Sequence, residues 1–226
     1  MNITKAWSGN RKINVQVDIF KQKPVLGILR GVKSEAIEPL IETVIGSGLE
    51  TLEITMNTPQ AAQLISKAMR SAAKRLTLGA GTVLTLDDLK SAQDSGASFF
   101  VLPVLVMEVV EYCLKHNLPV FPGALTPDEI YRAHQAGATM VKVFPAKFFG
   151  PRYLKEIKGP FREIQLLACG GVDAGNLADY FDCGASAVTF GASIFRQEWL
   201  EAKDFKIIGQ AISDFICAWQ RWANKR

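Results

Sequence analysis

Short apolar runs alternate with amphipathic stretches along almost the whole chain, and this alternation restricts the fold more than any other feature. The apolar runs have the length and β-branched character of buried strands, and they lie at 24–30, 51–55, 76–83, 99–103, 119–123, 140–145, 164–171 and 187–191. The amphipathic stretches predict helices near 34–46, 59–74, 85–95, 105–116, 127–136, 151–158, 175–182 and 205–222. Eight strand–helix units favour a closed parallel (β/α)8 barrel, with an open doubly wound sheet as the alternative.

Turn and cap residues support these boundaries. Glycine, which tolerates the left-handed conformation that ends a helix, follows four predicted helices at Gly48, Gly96, Gly137 and Gly184. Capping hydroxyls precede three predicted helices at Thr58, Thr85 and Thr126. Residues 1–20 are less regular and predict an extra N-terminal helix or arm that covers the bottom of the barrel. We therefore expect one barrel domain over 1–226, without a linker or second domain.

Composition excludes several classes of protein. The net charge of +4 is modest and the basic residues are scattered, which favours a solvated surface over nucleic-acid binding. No apolar run approaches the roughly 20 residues of a membrane span, and the polar N-terminus lacks the apolar core of a signal peptide. The four cysteines form no C-x-x-C pair, and the two histidines complete no zinc pattern. We expect a reduced, cytoplasmic protein without a metal.

A lysine inside a predicted strand is the first candidate for chemistry. Lys142 lies in the apolar run 140–145, where burial disfavours a charged amine. A neutral amine is a nucleophile for carbonyl carbons, so Lys142 indicates imine chemistry. The alternative is a lysine at the strand end whose amine reaches solvent.

A glutamate in the second predicted strand is a natural partner for this lysine. Side chains alternate along a strand, so Glu53 lies on the face of Thr51 and Thr55, opposite the apolar Leu52 and Ile54. The apolar pair should meet the helices, which directs Glu53 into the barrel. A carboxylate there is costly without a partner, and a buried Lys142 or an ordered water would supply one, so both side chains are predicted to project into the same interior, with a structural ion pair as the alternative.

Other side chains at the carboxyl ends of the strands should surround this pair, because barrel active sites lie at that end. Phe144 shares the inward face with Lys142, and Pro103 ends the fourth strand. Arg30 ends the first strand, where a guanidinium suits a carboxylate or phosphate; the alternative is a surface arginine. Thr82 follows Gly79-Ala80-Gly81, which is too short for a dinucleotide loop and suits close backbone approach or a simple turn.

Glycine-rich loops end the last two strands. Cys169-Gly170-Gly171 follows the seventh strand and Gly191-Ala192-Ser193 follows the eighth. Loops in these positions form the usual phosphate site of barrel enzymes, where backbone amides bind the anion. Ser193 adds a hydroxyl donor. The sequence therefore predicts phosphate binding by Gly170, Gly171, Gly191, Ala192 and Ser193, with tight turns as the alternative.

Together these residues resemble the bacterial 2-keto-3-deoxy-6-phosphogluconate (KDPG) aldolase family, which also covers 4-hydroxy-2-oxoglutarate (KHG) aldolase. The matching segments are Leu-Glu-Ile-Thr at 52–55, Gly-Ala-Gly-Thr-Val at 79–83, Phe-Pro-Gly at 121–123, Val-Lys-Val-Phe-Pro-Ala at 141–146, Lys-Gly-Pro-Phe at 158–161 and Gly-Gly-Val at 170–172. The resemblance implies a homotrimer of (β/α)8 barrels and a class I aldolase that needs no metal or cofactor. It implies that Lys142 forms the Schiff base, that Glu53 moves protons and that Thr82 lies near the pyruvate moiety.

Two departures from the family pattern affect the substrate. Many members carry an arginine for the pyruvate carboxylate where this chain has Asn57, and Arg30 is the candidate replacement. Members with Asn-Ser-Pro-Gln at this point include 6-phosphogalactonate aldolases, and this chain has Asn-Thr-Pro-Gln at 57–60. Cys169 stands where the family usually has threonine.

The leading prediction is cleavage of 2-keto-3-deoxy-6-phosphogluconate to pyruvate and glyceraldehyde 3-phosphate, with this 2-keto acid as the small-molecule partner. The alternatives are 4-hydroxy-2-oxoglutarate, with oxaloacetate decarboxylation by the same imine, and the 6-phosphogalactonate epimer. A barrel that binds phosphate ligands without catalysis, with Lys142 as a structural partner of Glu53, is the alternative from another class.

Overall fold

The computed structural model describes residues 15–225, and its strands form one parallel sheet that curls into a barrel. The strands are β1 (Val25–Leu29), β2 (Thr51–Thr55), β3 (Thr77–Gly81), β4 (Phe100–Val101), β5 (Val120–Phe121), β6 (Gly123–Ala124), β7 (Val141–Val143), β8 (Leu166–Ala168) and β9 (Ala187–Phe190). Their order in the sheet is β5-β4-β3-β2-β1-β9-β8-β7-β6. The predicted (β/α)8 barrel is confirmed.

The two outermost strands of this order are halves of one predicted strand. β5 and β6 are separated only by Pro122, which has no N–H to donate to a neighbouring strand. The Pro122 carbonyl still accepts a hydrogen bond from the Lys142 amide at 2.9 Å. Since β5 pairs with β4 and β6 pairs with β7, the two ends of the sheet meet in this one segment and close the barrel.

The helices around the barrel include the eight that were predicted, in the predicted order, the expected N-terminal helix and a short helix at Gln197–Glu201 that was not predicted. They are α1 (Val15–Gln22), α2 (Ile37–Gly46), α3 (Ala61–Ala72), α4 (Leu86–Asp94), α5 (Met107–Lys115), α6 (Pro127–Gln135), α7 (Gly150–Lys158), α8 (Leu177–Asp182), α9 (Gln197–Glu201) and α10 (Phe205–Ala223), with a 3-10 turn at Ala146–Phe148. The hydroxyls of Thr85 and Thr126 cap α4 and α6 as predicted. The predicted helix-ending glycines all adopt positive φ, at Gly48, Gly96, Gly137 and Gly184.

The predicted start of the third helix was wrong by two residues. α3 begins at Ala61, and its N-cap is Gln60, which makes no side-chain capping bond. Thr58 does not cap this helix. Its hydroxyl instead accepts a hydrogen bond from the Gly31 amide at 3.1 Å, because the turn after β2 lies against the end of β1.

The lower part of the barrel interior is filled by apolar side chains. The inner cluster consists of Phe20, Leu26, Phe99, Val101, Phe121, Met140, Leu167 and Ala187. Phe20 comes from α1, and its ring centroid lies 6.0 Å from that of Phe121. The predicted arm over 1–20 is therefore a helix from Val15 onward that covers the N-terminal ends of the strands, and 1–14 lie outside the described residues. No helix within 15–225 is long and apolar enough to cross a membrane.

Candidate active site

Lys142 and Glu53 project into the upper part of the barrel interior. Lys142 lies in the middle of β7 with 6% of its surface exposed, and Glu53 lies in the middle of β2 with 1% exposed. Burial raises the pKa of Glu53 to about 7, against the opposing positive charges of Lys142 and Arg30. Glu53 Oε2 is buried and accepts no hydrogen bond from the residues between 15 and 225. A carboxyl in this state exchanges protons near neutral pH.

Gly81 provides the space that the Glu53 carboxylate occupies. A Cβ atom placed on Gly81 would lie 2.1 Å from Glu53 Oε1 and 2.6 Å from its Cδ. Any larger residue at this point of β3 would displace the carboxylate. Gly81 is therefore required because the Glu53 side chain approaches its backbone closely, which is one of the two roles that the Gly79-Ala80-Gly81 sequence suggested.

Arg30 and Thr82 meet at the mouth of the barrel. The Arg30 guanidinium donates to Thr82 Oγ1 at 3.4 Å, and its charge acts on Glu53. Thr82 has φ of +56°, a left-handed conformation that is costly for a β-branched residue. Such strain is concentrated at functional sites. Arg30 is exposed, but it faces the site and is not isolated on the outer surface.

The remaining predicted lining residues lie at different depths. The Phe144 ring centroid is 5.1 Å from Lys142 Nζ, and 40% of this side chain is exposed. The Pro103 carbonyl packs against Gly123, where an added Cβ would approach it to 2.1 Å. Gly123 pairs with Lys142, so Pro103 borders the neighbouring strand and not the amine itself. Asn57 is exposed in the turn after β2.

The two glycine-rich loops present backbone amides at the same end of the barrel. Gly170 and Gly171 have φ of +91° and +85°, conformations that favour glycine. The Gly171 carbonyl accepts a hydrogen bond from Asn176 Nδ2 at 2.9 Å, which fixes the first loop. In the described part of the chain, the amides of Ala192 and Ser193 donate no hydrogen bond to protein atoms. They are therefore able to donate to an anion.

Three further residues lie near the site, and their place there was not predicted from the sequence. Lys147 packs on the first glycine-rich loop, since a Cβ on Gly171 would lie 2.4 Å from Lys147 Cβ. Thr189 is buried in β9, and its hydroxyl has no hydrogen-bond partner among residues 15–225. Thr58 was assigned to a helix cap. Strand alternation could have identified Thr189, because two apolar residues flank it in 188–190.

Cys169 lies among these charged and polar groups. It is buried, and burial raises the pKa of its thiol, while the nearby Lys142 charge opposes this rise. Cys169 is therefore a neutral thiol in the wall of the site. Within 15–225, no three His, Cys, Asp or Glu side chains lie close enough together to hold a metal ion.

Comparison with known proteins relates this geometry to one enzyme family. The sequence profile of the family described as KDPG and KHG aldolase matches residues 17–211. The chain belongs to this aldolase family. It is therefore an enzyme of the lyase class, as predicted, and the suggested resemblance is confirmed.

Individual relatives of this aldolase carry two substrate names. The 2-dehydro-3-deoxy-6-phosphogalactonate aldolase of Escherichia coli K12 is 32% identical over 174 residues, which cover 76% of this chain and 85% of the relative. The 2-dehydro-3-deoxy-phosphogluconate aldolase of Treponema pallidum is 34% identical over 188 residues, which cover 79% of this chain and 89% of the relative.

A solved structure supports the same barrel. The KDPG aldolase of Legionella pneumophila, with pyruvate captured at low pH as a covalent carbinolamine intermediate, superposes with a TM-score of 0.80 and 25% identity. The alignment covers 86% of this chain and 95% of that structure.

Proposed function

We propose that this aldolase cleaves 2-keto-3-deoxy-6-phosphogluconate to pyruvate and glyceraldehyde 3-phosphate through a Schiff base on Lys142. One observation carries the proposal: the buried Lys142 amine shares the barrel interior with Glu53, whose pKa is raised to about 7. A nucleophile and a proton carrier are the two groups that this cleavage needs. The Legionella relative, which was captured with covalently bound pyruvate, supports the same chemistry.

The proposed reaction begins when the Lys142 amine attacks the C2 carbonyl to form a carbinolamine, which takes up a proton from solvent and loses water to give an iminium. The Glu53 carboxylate then removes the proton of the C4 hydroxyl. The C3–C4 bond breaks, its electrons pass to the iminium, and the aldehyde departs. The enamine that is left takes the proton back from Glu53 at C3. Water then hydrolyses the new iminium, which releases pyruvate, the free Lys142 amine and the proton taken up at the start. Glu53 therefore serves as base and then as acid.

The other residues around the site are proposed to hold the substrate. Arg30 binds the pyruvate carboxylate, since its guanidinium lies at the mouth beside Thr82 and close enough to influence Glu53. Thr82 contacts the pyruvate moiety. Phe144 covers the amine, and Pro103 and Asn57 border the rim.

We assign the phosphate of the substrate to the two glycine-rich loops. Gly170 and Gly171 belong to the first loop, and Gly191, Ala192 and Ser193 belong to the second. The Ala192 and Ser193 amides, which donate to no other described residue, support this assignment. Lys147 beside Gly171 adds a positive charge near the first loop.

A second candidate substrate is the C4 epimer, 2-keto-3-deoxy-6-phosphogalactonate. Two observations favour it: the Asn-Thr-Pro-Gln turn at 57–60 and the similarity to the E. coli galactonate enzyme. The epimers differ only in the direction of the C4 hydroxyl, so both use Lys142 and Glu53 in the same way.

Comparison of kcat/KM for the two phosphorylated epimers and for 4-hydroxy-2-oxoglutarate tests the substrate assignment. The proposal predicts the highest value for the phosphogluconate derivative. A higher value for the galactonate epimer would establish the second candidate, and the highest value for 4-hydroxy-2-oxoglutarate would contradict the assigned phosphate site.

We further propose that the chain forms a homotrimer in the cytoplasm. Exposed apolar side chains follow three strands at the site end of the barrel, at Leu84, Val104, Met107, Phe148 and Phe149. Exposed apolar patches of this kind mark subunit contacts. The resemblance to the aldolase family is the reason to propose three subunits. The cytoplasmic location is supported by the four cysteines, which are free thiols, as is usual in a reducing compartment. Light scattering of the purified protein should give the mass of three 24.8 kDa chains, and a monomer mass would contradict the proposal.

A further inference from the structure

Two buried threonine hydroxyls connect the end of β2 to the end of β1. Thr58 follows β2 and is only 3% exposed, and Thr55 ends β2 and is fully buried. Thr58 Oγ1 accepts a hydrogen bond from the Gly31 amide at 3.1 Å and lies 3.0 Å from Thr55 Oγ1, with which it shares a second hydrogen bond. Both hydrogen-bond partners of the Thr58 hydroxyl are therefore protein groups, the Gly31 amide and the Thr55 hydroxyl.

The amide held by Thr58 belongs to the residue after Arg30. Gly31 has φ of +71°, so the chain turns sharply at the point where the arginine leaves β1. The other end of the same arginine is bonded to Thr82. Arg30 is thus fixed at two points, at its backbone by Thr58 and at its guanidinium by Thr82.

Backbone hydrogen bonds define the turn that carries Thr58, beside the bond of its hydroxyl to Thr55 in the same turn. The Thr58 amide donates to the Thr55 carbonyl at 2.9 Å, and the Ala61 amide donates to the Thr58 carbonyl at 3.1 Å. α3 starts without a side-chain cap. The hydroxyl therefore serves the contact between the two loops and not the local helix start.

We infer that Thr58 is a positioning residue that sets the place of Arg30 in the barrel mouth. Its buried hydroxyl orients the Gly31 amide and, through it, the direction in which Arg30 leaves β1. The inference rests on the proposed function, in which Arg30 binds the carboxylate of the 2-keto acid. Loss of the hydroxyl should therefore weaken substrate binding and leave the Lys142 chemistry intact.

Steady-state kinetics of Thr58→Val and Thr58→Ser tests this role. Valine keeps the shape and removes the hydroxyl, whereas serine keeps it. Thr58→Val should raise KM for the 2-keto acid about tenfold, the effect of one misplaced hydrogen bond, with kcat within about twofold of wild type. Thr58→Ser should restore the wild-type KM. Thr58→Ala replaces Thr58→Val if the latter does not fold.

Two comparisons exclude a general loss of stability. Thr43→Val removes a hydroxyl that donates to the Pro39 carbonyl at 2.9 Å in α2, and it should leave KM unchanged. In an Arg30→Ala background, Thr58→Val should add no further increase in KM, because the residue that it positions is gone.

The inference is overturned if Thr58→Val keeps the wild-type KM, or if it raises KM equally with and without Arg30. Borohydride trapping of wild-type protein with pyruvate separates this failure from failure of the proposed function. An adduct on Lys142 together with an unchanged KM in Thr58→Val refutes only the positioning role. Absence of the adduct refutes the Schiff base and removes the positioning role with it.

Discussion

Replacement of Gly81 by alanine should displace the Glu53 carboxylate without disturbing Lys142. Gly81 does not adopt a positive φ, so the backbone accepts alanine. The new Cβ would lie 2.1 Å from Glu53 Oε1, whereas ordinary van der Waals contact begins at 3.4 Å. The carboxylate must therefore move by about 1 Å, because β3 is fixed by its pairing with β2 on one side and β4 on the other.

A shift of this size is large for proton transfer. Misplacement of a reacting group by about 1 Å costs on the order of 100-fold in rate, so kcat of Gly81→Ala should fall by about that factor. The amine is untouched, so borohydride should still trap pyruvate on Lys142. Continuous measurement of pyruvate release, with a thermal melt to confirm folding, provides the assay.

Gly46→Ala is the matched control for this substitution. A Cβ at Gly46, in α2, meets no atom within 4 Å, so the same chemical change should leave kcat at the wild-type value. If Gly81→Ala also kept the wild-type kcat, the position of the Glu53 carboxylate would not matter to the rate. Glu53 would then not be the proton carrier.

Four further predictions concern the pH dependence of the rate and three substitutions. Because burial raises the pKa of Glu53 to about 7, kcat/KM should rise with pH through about 7, and a rise centred near the ordinary glutamate value of about 4.3 would contradict this environment. The neutral, buried Glu53 carboxyl stabilises the fold at pH values below the pKa that this glutamate has in the unfolded chain, and this stability is lost as the pH rises through about 7. The Tm of the wild type should therefore decline over this pH range, and Glu53→Gln should remove the decline. Arg30→Ala should raise KM for every 2-keto acid by about 10- to 100-fold, the range for charge-assisted hydrogen bonds, and an unchanged KM would remove Arg30 from the site. Ser193→Ala should lower kcat/KM for phosphorylated substrates about fivefold and spare 4-hydroxy-2-oxoglutarate, whereas equal losses would refute the phosphate assignment.

The barrel could be predicted from the sequence because each strand and helix has its own local pattern. Alternation within β2 placed Glu53 on the inner face, and the apolar run around Lys142 indicated its burial; both positions agree with the structure. Pro122 lies in the middle of a predicted strand, and only its missing N–H divides that strand into β5 and β6.

Contacts between distant segments could not be predicted. Thr58 stands before a proline and a helix, which is the local pattern of a cap, yet its hydroxyl bonds Gly31 because β1 and β2 are neighbours in the barrel. Lys147 meets Gly171 only after β7 and β8 pair. Such contacts depend on how strands are arranged in space, which the local sequence does not encode.

Mass spectrometry after borohydride reduction with pyruvate tests the central proposal most directly. The proposal predicts that the protein gains the mass of one reduced pyruvate adduct, that peptide analysis locates it on Lys142, and that Lys142→Ala gains none. An adduct on another lysine, or no adduct on a folded wild-type protein, would contradict the proposed Schiff base.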